Sequence, residues 1–205
     1  MMNAIDVVFV KRFVEAFYVN ITVACASLVI GMLIGLPFAY ARQYGGVLGR
    51  VVGFVNGLLR ASPVFVLMFL IMNIWGQQSG DMVWLHFDLP YIALVLALSS
   101  YSVSVISDVY LEMLDRLRAG DRQSAMLIVP NLFRIFTILV MATSVGVAIG
   151  VQEAIAVTLD RMESLPGRSE KIWLVLFVLF CFVLFFATAK YLVARLVILV
   201  KKKAG

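Results

Sequence analysis

Five long intervals of this chain hold no charged residue, and they decide the solvent in which it folds. They lie between Glu15 and Arg42, Arg60 and Asp81, Asp88 and Asp108, Arg134 and Glu153, and Lys171 and Lys190. Each is close to the ~20 residues a helix needs to cross ~30 Å of hydrocarbon. A soluble fold of 205 residues, 63% of them hydrophobic and 14% charged, could not bury so much apolar surface around one core. Lipid accepts those side chains directly. The sequence therefore predicts an all-α integral membrane protein. It reads as a single transmembrane domain over 1–205, with about five spans near 17–41, 61–76, 90–110, 128–151 and 172–194. The first run is too long for a signal peptide, follows Lys11 and Arg12, and has four successors like it.

The net charge of +5 belongs to membrane topology rather than to nucleic acid. The stretch 42–60 carries Arg42, Arg50 and Arg60 and no acid, while 116–134 carries four arginines. Lys190, Arg195 and Lys201 to Lys203 make the tail basic, whereas 77–90 has neither Lys nor Arg. The stretch 153–171 offsets three bases with four acids. The excess of Lys and Arg on one side places the N-terminus outside and the C-terminus in the cytoplasm, which an odd number of spans satisfies.

Along the chain, residues 1–16 are mildly amphipathic and are expected to lie on the outer interface. Span one carries Gly31 and Gly35, small residues four apart that let another helix come close, and Pro37, which should bend its cytoplasmic end. Span two is broken. Arg60 interrupts it, and Ser62 before Pro63 reads as an N-cap with proline in the first turn. The segment 51–59 is then re-entrant or interfacial. Trp84 and His86 fall in the outer loop. Gly146 and Gly150 repeat the small-residue spacing in span four, and Asn56 and Asn73 read as interhelical hydrogen-bonding residues. Cys25 and Cys181 read as small buried hydrophobes, and a lone His86 gives no metal site.

No phosphate-binding Gly-Lys-Ser/Thr loop, His-Glu-x-x-His or Gly-x-Ser-x-Gly is present, so neither ATP binding by this chain nor an enzyme is expected. Three places carry more information: Arg60-Ala-Ser-Pro63; Asp108 followed by Gly120-Asp-Arg-Gln-Ser-Ala125; and Thr143-Ser-Val-Gly-Val-Ala-Ile-Gly-Val-Gln-Glu153. Together they resemble the permease subunits of polar amino-acid ABC importers, of the histidine/glutamine/arginine type. In that family the second span opens with Arg-Gly-Thr-Pro, of which Arg60 to Pro63 is a close variant. A carboxylate stands twelve residues before a Gly-Gln-x-Glu-Ala-Ala motif, the distance from Asp108 to Gly120. The family's Lys-x-Thr-Ser-Leu-x-Ser-x-Ile-Gly-x-x-Glu-Leu reads here as Met141 to Ala154. The order and number of spans agree over nearly the whole chain.

The departures are specific. The Glu-Ala-Ala triplet is Gln123-Ser124-Ala125, the lysine before Thr-Ser is Met141, and the interval from Gly120 to Thr143 is shorter than the family's by roughly twenty residues, about five helical turns. A normal coupling helix hardly fits.

The resemblance implies a type I ABC importer permease-like fold in a bacterial inner membrane. It further implies a heteromeric complex in which a second permease subunit shares the translocation path. ATP-binding subunits would hold ATP and Mg, and a periplasmic or extracellular solute-binding protein would deliver amino acids. This chain itself would bind no cofactor and no nucleic acid.

Residue by residue, the resemblance assigns Asp108, Gly120, Asp121, Gln123, Ser124 and Ala125 to coupling with the ATPase. It assigns Arg60, Ser62, Pro63, Thr143 and Ser144 to the path or its gate, and Gln152 and Glu153 to the outer face. The residues alone leave plainer roles open. Arg60 can snorkel to the interface, and Asp108 can solvate a helix end. Thr143 and Ser144 can bond the preceding turn, and Glu153 can be loop polarity. Two other classes stand beside the importer: a non-transporting membrane scaffold or regulatory subunit descended from such a permease, and a small channel or secondary transporter. The last would need ionisable residues at span centres, where the sequence has none.

Overall fold

The computed structural model describes residues 5–76, 88–121 and 128–204, and every regular element among them is helical. The order is α1 (Val7–Tyr44), α2 (Gly46–Ala61), α3 (Val64–Gly76), α4 (Leu89–Arg118), α5 (Ile128–Ala142), a 3₁₀ segment (Thr143–Ile149), α6 (Ala154–Ser164) and α7 (Arg168–Ala204). Four helices are long and apolar enough to cross a membrane, with α5 counted through its 3₁₀ extension; α2 and α3, bent by 92° at a short break, make a fifth crossing if taken as one span.

Several boundaries depart from the sequence reading. Residues 7–16 are not a separate interfacial piece: α1 is one helix of 38 residues, about 57 Å long, and passes Pro37 without ending. Asp6 starts it, its Oδ1 accepting the Phe9 N–H at 2.7 Å. At the other end of the chain α7 runs on into the basic tail, because lysines are good helix formers. Span four is α-helical only to Ala142, and the glycine- and valine-rich stretch after it winds tighter. Helix α6 occupies a stretch between spans four and five to which the sequence reading assigns no element.

The chain divides into two compact units, one of Met1–Thr22 with Ser144–Gly205 and one of Val23–Thr143. In the first, the start of α1, α6 and α7 close on a core of Phe9, Phe13, Ala16, Ala154, Val157, Leu165, Leu174 and Val178. Its aromatic rings meet mostly edge to face, as Phe17 does with Phe182 and Phe185 at 5.0 Å. Asp6 and Arg161 pair across it at 2.7 Å.

In the second unit α4 is the central strut, with α2, α3 and α5 packed on it. Its buried face alternates aliphatic residues with Ser99, Ser102, Ser104 and Ser107. Small side chains let α1 come close. A Cβ on Gly31 would run into Ser102 and lie 2.8 Å from Ile106 Cδ1, and one on Gly35 would lie 3.1 Å from the Ser107 nitrogen. Without a hydrophobic drive between helices in lipid, such contacts carry the packing. Ser27 adds a hydrogen bond to the Val95 carbonyl at 3.2 Å.

Gly146 and Gly150 do not form a second stripe of this kind. Both follow the α-helical part of span four, so a four-residue spacing does not place them on one helix face. Gly150 sits at φ +88° with open space where a Cβ would be, which makes it a turn residue.

Candidate functional site

The middle unit gathers charge at one carboxylate. Arg42, near the end of α1, donates to Asp108 Oδ1 at 2.6 Å and to Ser107 Oγ at 3.1 Å. Arg60, at the end of α2, forms an ion pair with Asp108 Oδ2. Asn56, buried on the inner face of α2, reaches Asp108 Oδ1 at 3.4 Å, and its carbonyl accepts from Ser104 Oγ at 3.0 Å. One residue of α4 therefore ties down the ends of two other helices. Asp108 is a third exposed, so the pairs are half-solvated and openable rather than sealed.

Arg42 and Asp108 line an open cleft of about 660 Å³ together with Leu111, Glu112, Asp115, Arg116 and Ala119. Gln43 donates to Asp115 at 3.1 Å, and Arg116 holds Glu112 at 2.7 Å. Just beyond, α4 is closed by a left-handed glycine. Gly120 takes φ +81°, its N–H bonds the Leu117 carbonyl, and the Asp121 N–H bonds that of Arg116. This is the pattern that stops a helix sharply. Gly120 and Asp121 thus act locally in ending α4, and Gln123, Ser124 and Ala125 lie outside the described residues.

The break between α2 and α3 falls where expected, but Ser62 serves the other helix. It is the C-cap of α2, and its hydroxyl donates back to the Leu58 carbonyl at 2.7 Å. Pro63 stands between the two helices, its carbonyl accepting from the Leu67 N–H. Thr143, wholly buried, donates to the Val140 carbonyl at 2.7 Å, and Ser144, half-buried, opens the 3₁₀ stretch with it. Among the described residues, Asn73 likewise bonds its own helix, at the Phe69 carbonyl.

The largest correction concerns Glu153. Gln152 is exposed, but Glu153 is 0% exposed and cannot present itself to a partner at the outer face. It caps α6, Oε1 accepting the Ala156 N–H at 2.9 Å, while Oε2 accepts from Asn20 Nδ2 at 2.7 Å. Asn20 Oδ1 in turn accepts the Ala154 N–H at 3.0 Å. Burial raises the Glu153 carboxyl above its ordinary value, and the bonds from Asn20 and the amides of Ile155 and Ala156 pull the other way.

Two residues of these networks escape a reading of the sequence alone. Arg42 counts there only towards topology, although it is the residue that bounds the first apolar run. Asn20 carries no motif, although an amide inside an apolar span is itself a signal of a partner. Cys25 and Cys181 are free thiols, Cys25 exposed rather than buried. Among the described residues, no group of three or more His, Cys, Asp or Glu side chains could hold a metal ion.

No protein-family model and no curated protein matches the sequence. Solved structures do match the fold. A chain of the crystal structure of an amino acid ABC transporter with histidines superposes with a TM-score of 0.70 at 16% identity, covering 99% of this chain and 100% of that one. A chain of the MetNI methionine ABC transporter, in an inward-facing conformation, gives 0.67 at 15% identity over 94% and 99%. From end to end, the chain has the fold of the ABC transporter permeases.

Proposed function

We propose that this chain is the membrane-spanning permease subunit of an ATP-driven importer for amino acids. The observation that carries the reading is the end-to-end likeness to a chain of an amino acid ABC transporter, with nothing of substance left over in either chain. The motif order around Arg60, Asp108, Gly120 and Thr143 supports it independently. In this reading a second permease subunit shares the path, ATP-binding subunits hold and hydrolyse ATP with Mg, and a solute-binding protein loads the complex from outside. The chain sits in a bacterial inner membrane with its N-terminus outside. The cleft over Asp108, towards the end of α4 that Gly120 closes, is the surface that meets an ATP-binding subunit. Alternating access needs two packings of similar energy, and half-exposed ion pairs are suited to exchange between them.

A second reading is a scaffold descended from such a permease. It is favoured by the connection after α4, which is capped at Gly120 before α5 begins at Ile128, where the family carries a longer coupling segment. Affinity purification in mild detergent, with mass spectrometry and an ATPase assay, separates the two. Recovery of an ATP-binding subunit and an intact permease, with hydrolysis stimulated by an amino acid and its binding protein, is the expected result. Recovery of the chain without any ATP-binding subunit overturns the importer.

A further inference from the structure

Helix α2 presents an apolar surface that none of the described residues of its unit covers. Val47, Leu48, Val51, Phe54, Val55 and Leu58 are all exposed, Phe54 by 68% and Val47 by 72%. Their spacing puts them on one broad face of a helix. The opposite face is the one held by the protein, through Gly49 against the Ala41 carbonyl and Asn56 against Ser104 and Asp108.

Orientation follows from two facts. The guanidinium of Arg42, which precedes α2, and that of Arg60, at its end, meet on the same carboxylate. The helix beyond the break, α3, leaves at 92°. With α3 directed across the bilayer, α2 lies in its plane, at the level of the charges that end α1.

Gly53 and Gly57, with open space where a Cβ would be, each cost about 1 kcal/mol relative to alanine in a helix, so α2 needs a stabilising surface. Charge says which one. The segment 42–60 has three arginines and no acid. Arg42 and Arg60 are engaged by Asp108, whereas Arg50 is exposed and bonds only the Gly46 carbonyl, at 3.4 Å, among the described residues.

We propose that α2 is an in-plane anchor. Its apolar stripe sinks among the acyl chains, and Arg50 binds the phosphate of anionic phospholipid headgroups.

The test uses the full chain with Cys25 and Cys181 replaced by serine, reconstituted in phosphatidylcholine with and without phosphatidylglycerol. A nitroxide label is placed at F54C, or at V51C should that variant not fold, and separately at G57C. The label on the stripe should collide with oxygen in preference to a water-soluble nickel chelate, and the label at 57 should do the reverse. In an unlabelled protein R50Q should lower the preference for phosphatidylglycerol over phosphatidylcholine about fivefold, the equivalent of about 1 kcal/mol for one basic residue at an anionic surface. A stripe label open to the nickel chelate, or shielded from both agents as under a protein partner, overturns the anchor. An unchanged lipid preference in R50Q overturns the headgroup site.

Discussion

Asp108 and Glu153 are both carboxylates that follow a long apolar run, and the chain treats them in opposite ways. Asp108 keeps a third of its surface in solvent and is served by two guanidinium groups. Glu153 has no exposed surface, and its described partners are neutral: a side-chain amide and the backbone N–H groups of Ile155 and Ala156. A charge pair at a wet boundary is held weakly and can be exchanged. A buried acceptor ringed by fixed donors cannot let go without leaving them unpaired. The first arrangement suits a part that moves, and the second a part that must not.

That contrast can be broken by substitution. E153A should have the largest effect on stability, about 3 kcal/mol, because it strands Asn20 Nδ2 and the Ala156 N–H in a dry site. Thermal unfolding in detergent measures it, and a cost near zero would mean that water reaches the site. G31A comes next, at about 2 kcal/mol, since its new methyl must displace Ser102 or Ile106. The double variant with S102G should recover much of that, and failure to do so would move the close approach elsewhere. D108N should cost only about 1 kcal/mol of stability yet, if the chain serves the proposed importer, abolish the uptake of the assembled complex in vesicles. A variant that loses as much stability as E153A would make the cluster structural.

The smallest expected effect is one of pH. Burial holds the Glu153 carboxyl above its ordinary 4.5. A carboxyl raised on folding contributes stability that is present below the ordinary value and lost as pH rises through the folded one. The unfolding midpoint should therefore drift down as pH is taken upward from that value. E153Q should flatten the drift while lowering the whole curve, because its amide nitrogen faces a donor. A drift that survives in E153Q belongs to another group.

The spans are legible because lipid imposes a rule that a single sequence displays: no charge for about twenty residues. The break at Ser62–Pro63 is legible for a similar reason, proline being local chemistry. What stays hidden is tertiary. Nothing in the sequence joins Arg42 and Arg60 to one aspartate, since the partners stand far apart along the chain. Glu153 sits beside Gln152, which is exposed, and only the fold tells the two apart. Helix α6 mixes acids, bases and apolar residues over a short stretch and has no pattern strong enough to separate it from a loop. The glycine pairs show the limit most plainly. Gly31 and Gly35 lie against α4, while Gly146 and Gly150 have the same spacing on backbone that has stopped being α-helical.

The right angle between α2 and α3 has a mechanical side. Two stiff arms that meet at a corner of two non-helical residues form a bell crank, with Ser62 and Pro63 as the pivot. Any sideways travel of one arm would become tilting of the other, with a ratio set by their lengths. Here the arms have 16 and 13 residues, about 24 Å and 20 Å, so the lever neither greatly amplifies nor greatly reduces the stroke. The ion pair from Arg60 to Asp108 clamps this crank at the end of its longer arm, beside the pivot, where a small slip of the pin swings both arms the most.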